Sequence, residues 1–282
     1  MIDILLIIIT FVALLIASYT DVRTREVPDW LNYGLIFAAF GVRLIFSIPN
    51  NWDILISGLL GFGICWCLAL LFYYSNQWGG GDSKLLMAMG AIIGVTFPFD
   101  NSSWDLVLFF FALLFLGSVY GLIWMIVVAF QKKRIFAARF RVKLTDHKTI
   151  HFILIAISLG FLVGTFFFPL ILPLAILPLV FFYLFSFVTV VEESCFLKEI
   201  DVEKLTPGDW LFEDVLDKKK ILMQKKTLEL EDIWNLKNAK FEGKIKTVLV
   251  KEGVPFVPGF LFAYILLIFG RVVFEWVLGF LS

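Results

Sequence analysis

Residues 152–191 read FILIAISLGFLVGTFFFPLILPLAILPLVFFYLFSFVTVV, forty residues without one charge. A helix needs about 20 apolar residues to cross the hydrocarbon core of a bilayer, so this stretch is close to two crossings long. Pro169, Pro173 and Pro178 interrupt it. A turn near Phe168-Pro169 divides it into helices over about 152–168 and 174–191; one long kinked helix is the other reading. The rest of the chain has the same character: 60% of its 282 residues are hydrophobic, 33 are Phe, and the mean hydropathy is +0.92. Only helices and closed barrels satisfy their backbone groups in lipid, and a barrel would alternate apolar and polar residues. The expected fold is a polytopic α-helical membrane protein of about six or seven spans with a small α+β cytoplasmic domain.

Outward from that stretch, further apolar segments fall at about 4–20, 30–47, 54–74, 83–95 and 106–130, with the last at about 256–281. The N-terminus lacks the basic region of a cleaved signal peptide, so the first apolar run reads as a retained span. Cytoplasmic loops retain Lys and Arg. The Arg23/Arg25 loop, the Lys84 turn and the basic 131–150 loop fall on one side, whereas the linkers at 48–53 and 98–104 carry neither residue type. This predicts an integral protein of the plasma membrane with its N-terminus outside. Two crossings separate Asp21 from Asp82, so both emerge on the cytoplasmic face.

Formal net charge is zero, but the charges are segregated: of 24 Lys and Arg, seven lie between Lys132 and Lys148 and twelve between Lys198 and Lys251. The first cluster is interleaved with Ile135, Phe136, Phe140 and Val142. It reads either as a short amphipathic helix on anionic lipid or as a solvated loop. Residues 192–253 mix twelve Lys with fourteen Asp and Glu, which suits a solvated surface and not a nucleic-acid site. Within them Thr206-Pro207-Gly208-Asp209 is a turn, 196–202, 210–215, 221–223 and 246–250 read as strands, and 228–241 as a helix. The domain division is therefore 1–191 (transmembrane, with both candidate Asp residues at its cytoplasmic face), 192–253 (soluble) and 254–282 (final span, in which Arg271 and Glu275 are spaced to pair). Cys65, Cys67 and Cys195 suggest no disulfide framework and no zinc pair. His147 and His151, four apart, are the only candidate metal ligands and lack a supporting set, so no metal or cofactor is expected.

Chemistry concentrates at two span ends. Gly79-Gly80-Gly81-Asp82 joins two apolar segments, and Asp21 closes the first. The glycines allow a tight turn with positive φ, and Asp82 then stands where the next helix begins, as an N-cap or as a reacting group. Two carboxylates at one membrane face can share a proton. One then activates water while the other, protonated, polarises a peptide carbonyl. A transporter handling a proton or cation through the same pair, and a non-catalytic assembly factor docking through 192–253, are the competing readings. Against the transporter, both Asp residues lie at span ends and no internal repeat is evident.

Three segments together resemble the archaeal preflagellin peptidases, relatives of the type IV prepilin peptidases among the GxGD aspartyl proteases. They are Asp21-Val22-Arg23-Thr24-Arg25-Glu26-Val27-Pro28, Gly79-Gly80-Gly81-Asp82-Ser83-Lys84 and Gly253-Val254-Pro255-Phe256-Val257-Pro258. The resemblance implies that Asp21 and Asp82 are the catalytic pair, with Gly79 and Gly81 as motif glycines. It also implies a preflagellin or prepilin-like substrate whose short basic leader is cut at the cytoplasmic face. Nothing here matches the cysteine tetrad of the methylating bacterial relatives, so peptidase activity without methylation is expected. Pro173-Leu174-Ala175 stands where presenilin-type relatives carry Pro-Ala-Leu.

Overall fold

The computed structural model describes residues 2–49, 51–75, 77–98, 103–217 and 220–281, without the side chains of 220 and 271–281. The expected Arg271–Glu275 pair and most of the 98–104 linker lie outside the described residues. The chain divides into two compact units, Met1–Gly121 with Val254–Ser282, and Leu122–Gly253.

In the first unit, α1 (Ile2–Thr24), α2 (Asp29–Ser47), α3 (Asp53–Tyr74), α4 (Gly80–Ile93), the first part of α5 (Trp104–Gln131) and α10 (Val257–Leu281) come together. Arg25 ends α1 by taking φ +62, and its N–H closes on the Asp21 carbonyl at 2.9 Å. Few side chains other than glycine adopt this left-handed cap. Pro28 then restarts the chain into α2. α1, α2, α3 and α5 are each long and apolar enough to cross a membrane.

α4 is different. Its 14 residues span about 21 Å, short of the roughly 30 Å hydrocarbon core, and it stops where Gly94 takes φ +74. It is buried by protein: Leu85, Leu86, Ala88, Met89 and Ala91 have no exposed surface. It packs against α2 and α3. Gly61 of α3 and Gly90 of α4 each occupy the place where the other's Cβ would meet backbone, so the two helices touch chain to chain.

The second unit holds the remainder of α5, then α6 (Lys133–Asp146), α7 (Lys148–Gly164) and α8 (Leu172–Val190), then β1 (Leu197–Asp201), β2 (Trp210–Leu211), β3 (Val215–Asp217), β4 (Lys220–Met223), α9 (Leu230–Phe241) and β5 (Thr247–Lys251). The uncharged stretch is thus a hairpin of two helices, turning through Pro169–Ile171 beside an exposed Phe166-Phe167-Phe168. Pro169–Cys195 is the fifth segment fit to cross a membrane, and α6 with α7, bent by 74° at His147, passes the same test as a pair. The two histidines have separate side-chain partners. His147 sits on the Lys143 carbonyl at 3.2 Å, while His151 meets the Tyr183 hydroxyl at 2.7 Å.

β5 is the central strand of an antiparallel sheet in the order β1-β5-β2, and β3 pairs with β4. The expected turn forms at Thr206–Asp209, where Gly208 takes φ +102 and the Thr206 N–H reaches the Asp209 carboxylate at 2.8 Å. Glu229 and Asp232 form a capping box on α9. The Lys226 ammonium and the Glu229 N–H hold the Asp232 carboxyl below the usual carboxylate range.

Candidate active site

Asp21 lies in the last turn of α1 and is 6% exposed. Its Oδ2 accepts the Val257 N–H at 2.9 Å, and the Phe256 N–H lies beside the same carboxylate. Both donors belong to the start of α10, whose first-turn amides have no partner inside the helix. The Gly253–Pro258 segment therefore meets Asp21 through its backbone. Arg25 is within electrostatic reach of the same carboxylate, as is Tyr120 of α5.

Asp82 is half-buried, in the first turn of α4. It is not the N-cap. The helix begins two residues earlier, Gly79 is the cap, and the Asp82 carboxylate reaches back to the Gly79 N–H from the third helical position. This is half of a capping box, and it leaves the rest of the carboxylate free for other partners. None of Gly79, Gly80 and Gly81 has a positive φ. What demands a small residue is space, and only at Gly81. A Cβ there would lie 3.3 Å from Val27 Cβ, in the loop that follows α1. Asn32 of α2 donates from Nδ2 to the Gly81 carbonyl at 3.2 Å, so the turn is held from two sides.

Asp21 and Asp82, 61 positions apart in sequence, are close enough for the charge of one to act on the other. The cation next to Asp82 in sequence is engaged elsewhere: Lys84 Nζ is 2.5 Å from Asp29 and lies over the Tyr33 ring. That ion pair removes Asp29 from the set of free acids near Asp21, whereas Glu26 is exposed. Trp78, which precedes the glycines, stacks on Phe72 at 4.5 Å and meets Phe256 at 5.3 Å and Phe260 at 5.8 Å. One aromatic cluster thus backs both the turn that carries Asp82 and the amides that bind Asp21.

Tyr120 stands in a long apolar run with nothing to mark it, and the Gly253–Pro258 motif carries no side-chain signal that its Phe256 and Val257 amides face Asp21. Arg43 had one, since a charge inside an apolar span must find partners. It donates to the carbonyls of Ala91 at 2.8 Å, Ile92 at 2.6 Å and Ile54 at 2.8 Å, closing the far end of α4. Among the described residues no group of three His, Cys, Asp or Glu is arranged to hold a metal.

Part of the chain is similar in sequence to known proteins. The chain is 37% identical over 91 residues to the preflagellin peptidase of Methanococcus maripaludis, covering 30% of this chain and 37% of that one. It is 36% identical over 97 residues to that of Methanococcus voltae (33% and 41%) and 33% identical over 91 residues to that of Methanocaldococcus jannaschii (30% and 37%). The chain spans about two fifths of the length of these curated relatives. No solved structure matches it. Over residues 8–126, the stretch that holds both Asp21 and Asp82, the chain matches the type IV leader peptidase family.

Proposed function

We propose that the protein is a membrane aspartyl endopeptidase, with Asp21 and Asp82 as its catalytic pair, that removes the short basic leader of a preflagellin or related prepilin-like protein. The observation that carries this is that two carboxylates, from helices separated by two crossings, stand at the same ends of those crossings and within electrostatic reach of each other. A pair so placed can hold one proton between them and deliver water to a peptide bond where a substrate helix leaves the lipid. The distribution of Lys and Arg puts that end on the cytoplasmic side and the N-terminus outside. Residues 192–253, on the same side, select the substrate. No methyl transfer accompanies cleavage.

The test is incubation of membranes bearing the protein with candidate preproteins, followed by mass measurement of the new N-terminus. Asp21→Asn and Asp82→Asn should each lower cleavage by at least about a hundredfold while leaving the thermal midpoint close to that of the parent. Undiminished cleavage in either variant overturns the pair. Ion flux into proteoliposomes without peptide cleavage supports a transporter instead.

A further inference from the structure

We infer that the amino end of α10 sets the roles within the pair: the Phe256 and Val257 amides hold Asp21 as the carboxylate that activates water, and Asp82 carries the proton. This rests on the peptidase reading and assigns what that reading leaves open.

The two carboxyl groups have unequal surroundings. Asp21 accepts the Val257 N–H at 2.9 Å, with the Phe256 N–H beside the same carboxylate, at the start of a long helix and with Val257 itself fully buried. Amides at that position point outward with a partial positive charge and favour an anion. Asp82 accepts one, from Gly79. The charged and titratable groups around Asp21 do not reverse this order. Arg25 favours the anion, Asp82 is the partner itself, and Tyr120 faces it from α5. From α2, Asp29 is bound to Lys84, which lies over Tyr33, and Arg43 to backbone carbonyls. α10 contributes only Tyr264 as a titratable side chain between Val257 and Gly270, and that hydroxyl is directed to Thr10.

The chemistry then runs in one direction. The Asp21 carboxylate takes a proton from water as the water oxygen bonds to the scissile carbonyl carbon, and Asp82 gives its proton to the carbonyl oxygen. A neutral gem-diol results, with Asp21 protonated and Asp82 ionised. On collapse Asp21 returns its proton to the leaving nitrogen as the C–N bond breaks, and Asp82 takes one from a diol hydroxyl. Both residues end as they began. The donors are held in place independently of the substrate: Gly259 of α10 rests on Gly117 of α5, where an added Cβ would lie 2.8 Å from Gly117 Cα, and the Phe256 ring covers the same glycine.

The peptide N–H of Val257 can be deleted in isolation, because it is the first residue of α10 and proline is tolerated there. In the full-length protein in membranes, Val257→Pro should reduce kcat about ten- to hundredfold and move the acid limb of the pH–rate profile upward by about a unit or more. Val257→Ala, which keeps the N–H, should leave the position of the acid limb unmoved, whatever it does to the rate. An unmoved limb in Val257→Pro, or an equal displacement in both, overturns the assignment. A second measurement needs no variant. An epoxide carried on a leader peptide is opened by an ionised carboxylate, forming an ester as the ring oxygen takes up a proton, and mass mapping should find that ester on Asp21. Label on Asp82 overturns the assignment even if Val257→Pro fails to fold. Either negative result with both Asp→Asn variants inactive removes this inference alone; active Asp→Asn variants remove the peptidase reading and this inference with it.

Discussion

Arg43 is a fixed charge inside an apolar helix, and its three bonds explain how it is tolerated there. The guanidinium fork matches carbonyls that α4 cannot satisfy at its own end, Ala91 and Ile92, and adds Ile54 from α3. A cation at a helix C-terminus also opposes the negative end of its dipole. Arg43→Met should therefore cost about 2–4 kcal/mol in reversible unfolding in detergent, since buried acceptors are left without donors. Arg43→Lys should fall between, because one ammonium cannot replace a planar fork. A Met variant as stable as the parent would show that these bonds are made equally well by other groups. At this scale the sequence was legible where polarity meets a span end, which is why Asp21 and Asp82 stand out. It was silent where the partner is a peptide N–H: nothing in the identity of Phe256 or Val257 announces that their amides serve a carboxylate.

α4 shows how an element can be recognised and its extent still misread. Apolar composition from Ser83 onward suggested a span ending near Val95, yet the helix starts at Gly80 and ends at Ile93 because Gly94 turns the chain. The glycines before Asp82 were expected to supply unusual φ values. They are regular, and the constraint is space: a Cβ added at Gly81 would lie 3.3 Å from Val27 Cβ. That distinction bears on mutation. Gly81→Val should displace the start of α4 from the Asp21 loop, and since a shift of about 1 Å can cost up to about a hundredfold in rate, turnover should fall far more than the thermal midpoint. Loss of rate in proportion to loss of folded protein would place the effect in stability alone. Over 131–150 the sequence reads as helix or as loop; α6 is a helix with no buried residue, so periodicity has no core-facing side to reveal.

For the whole molecule, residues 198–251 form a segment built to be removable. β1 pairs with β5 so that Leu197 faces Lys251, the Glu252 N–H bonds to the Phe196 carbonyl at 2.9 Å, and Lys251 and Lys198 bind Glu192 and Glu252. Chain leaves and returns at one place. Its own core, centred on Val202, Leu211, Leu228, Leu236 and Val250, is separate from the core of the membrane helices. Replacing 198–251 by a short linker should therefore preserve the Asp21–Asp82 site, keep slow cleavage of a minimal leader peptide, and raise KM for a complete preprotein. An unchanged KM would assign the segment to stability or assembly.

The contact between Gly61 and Gly90 has a consequence for traffic in the plane of the membrane. If the substrate is anchored by an apolar helix of its own, as proposed above, it reaches the site sideways, through a doorway between helices. Where two backbones touch, no door can open without parting the main chains, and Arg43 bolts the same pair at its far end. The α3–α4 seam is thus a closed wall, and an arriving helix is steered to another flank of the bundle.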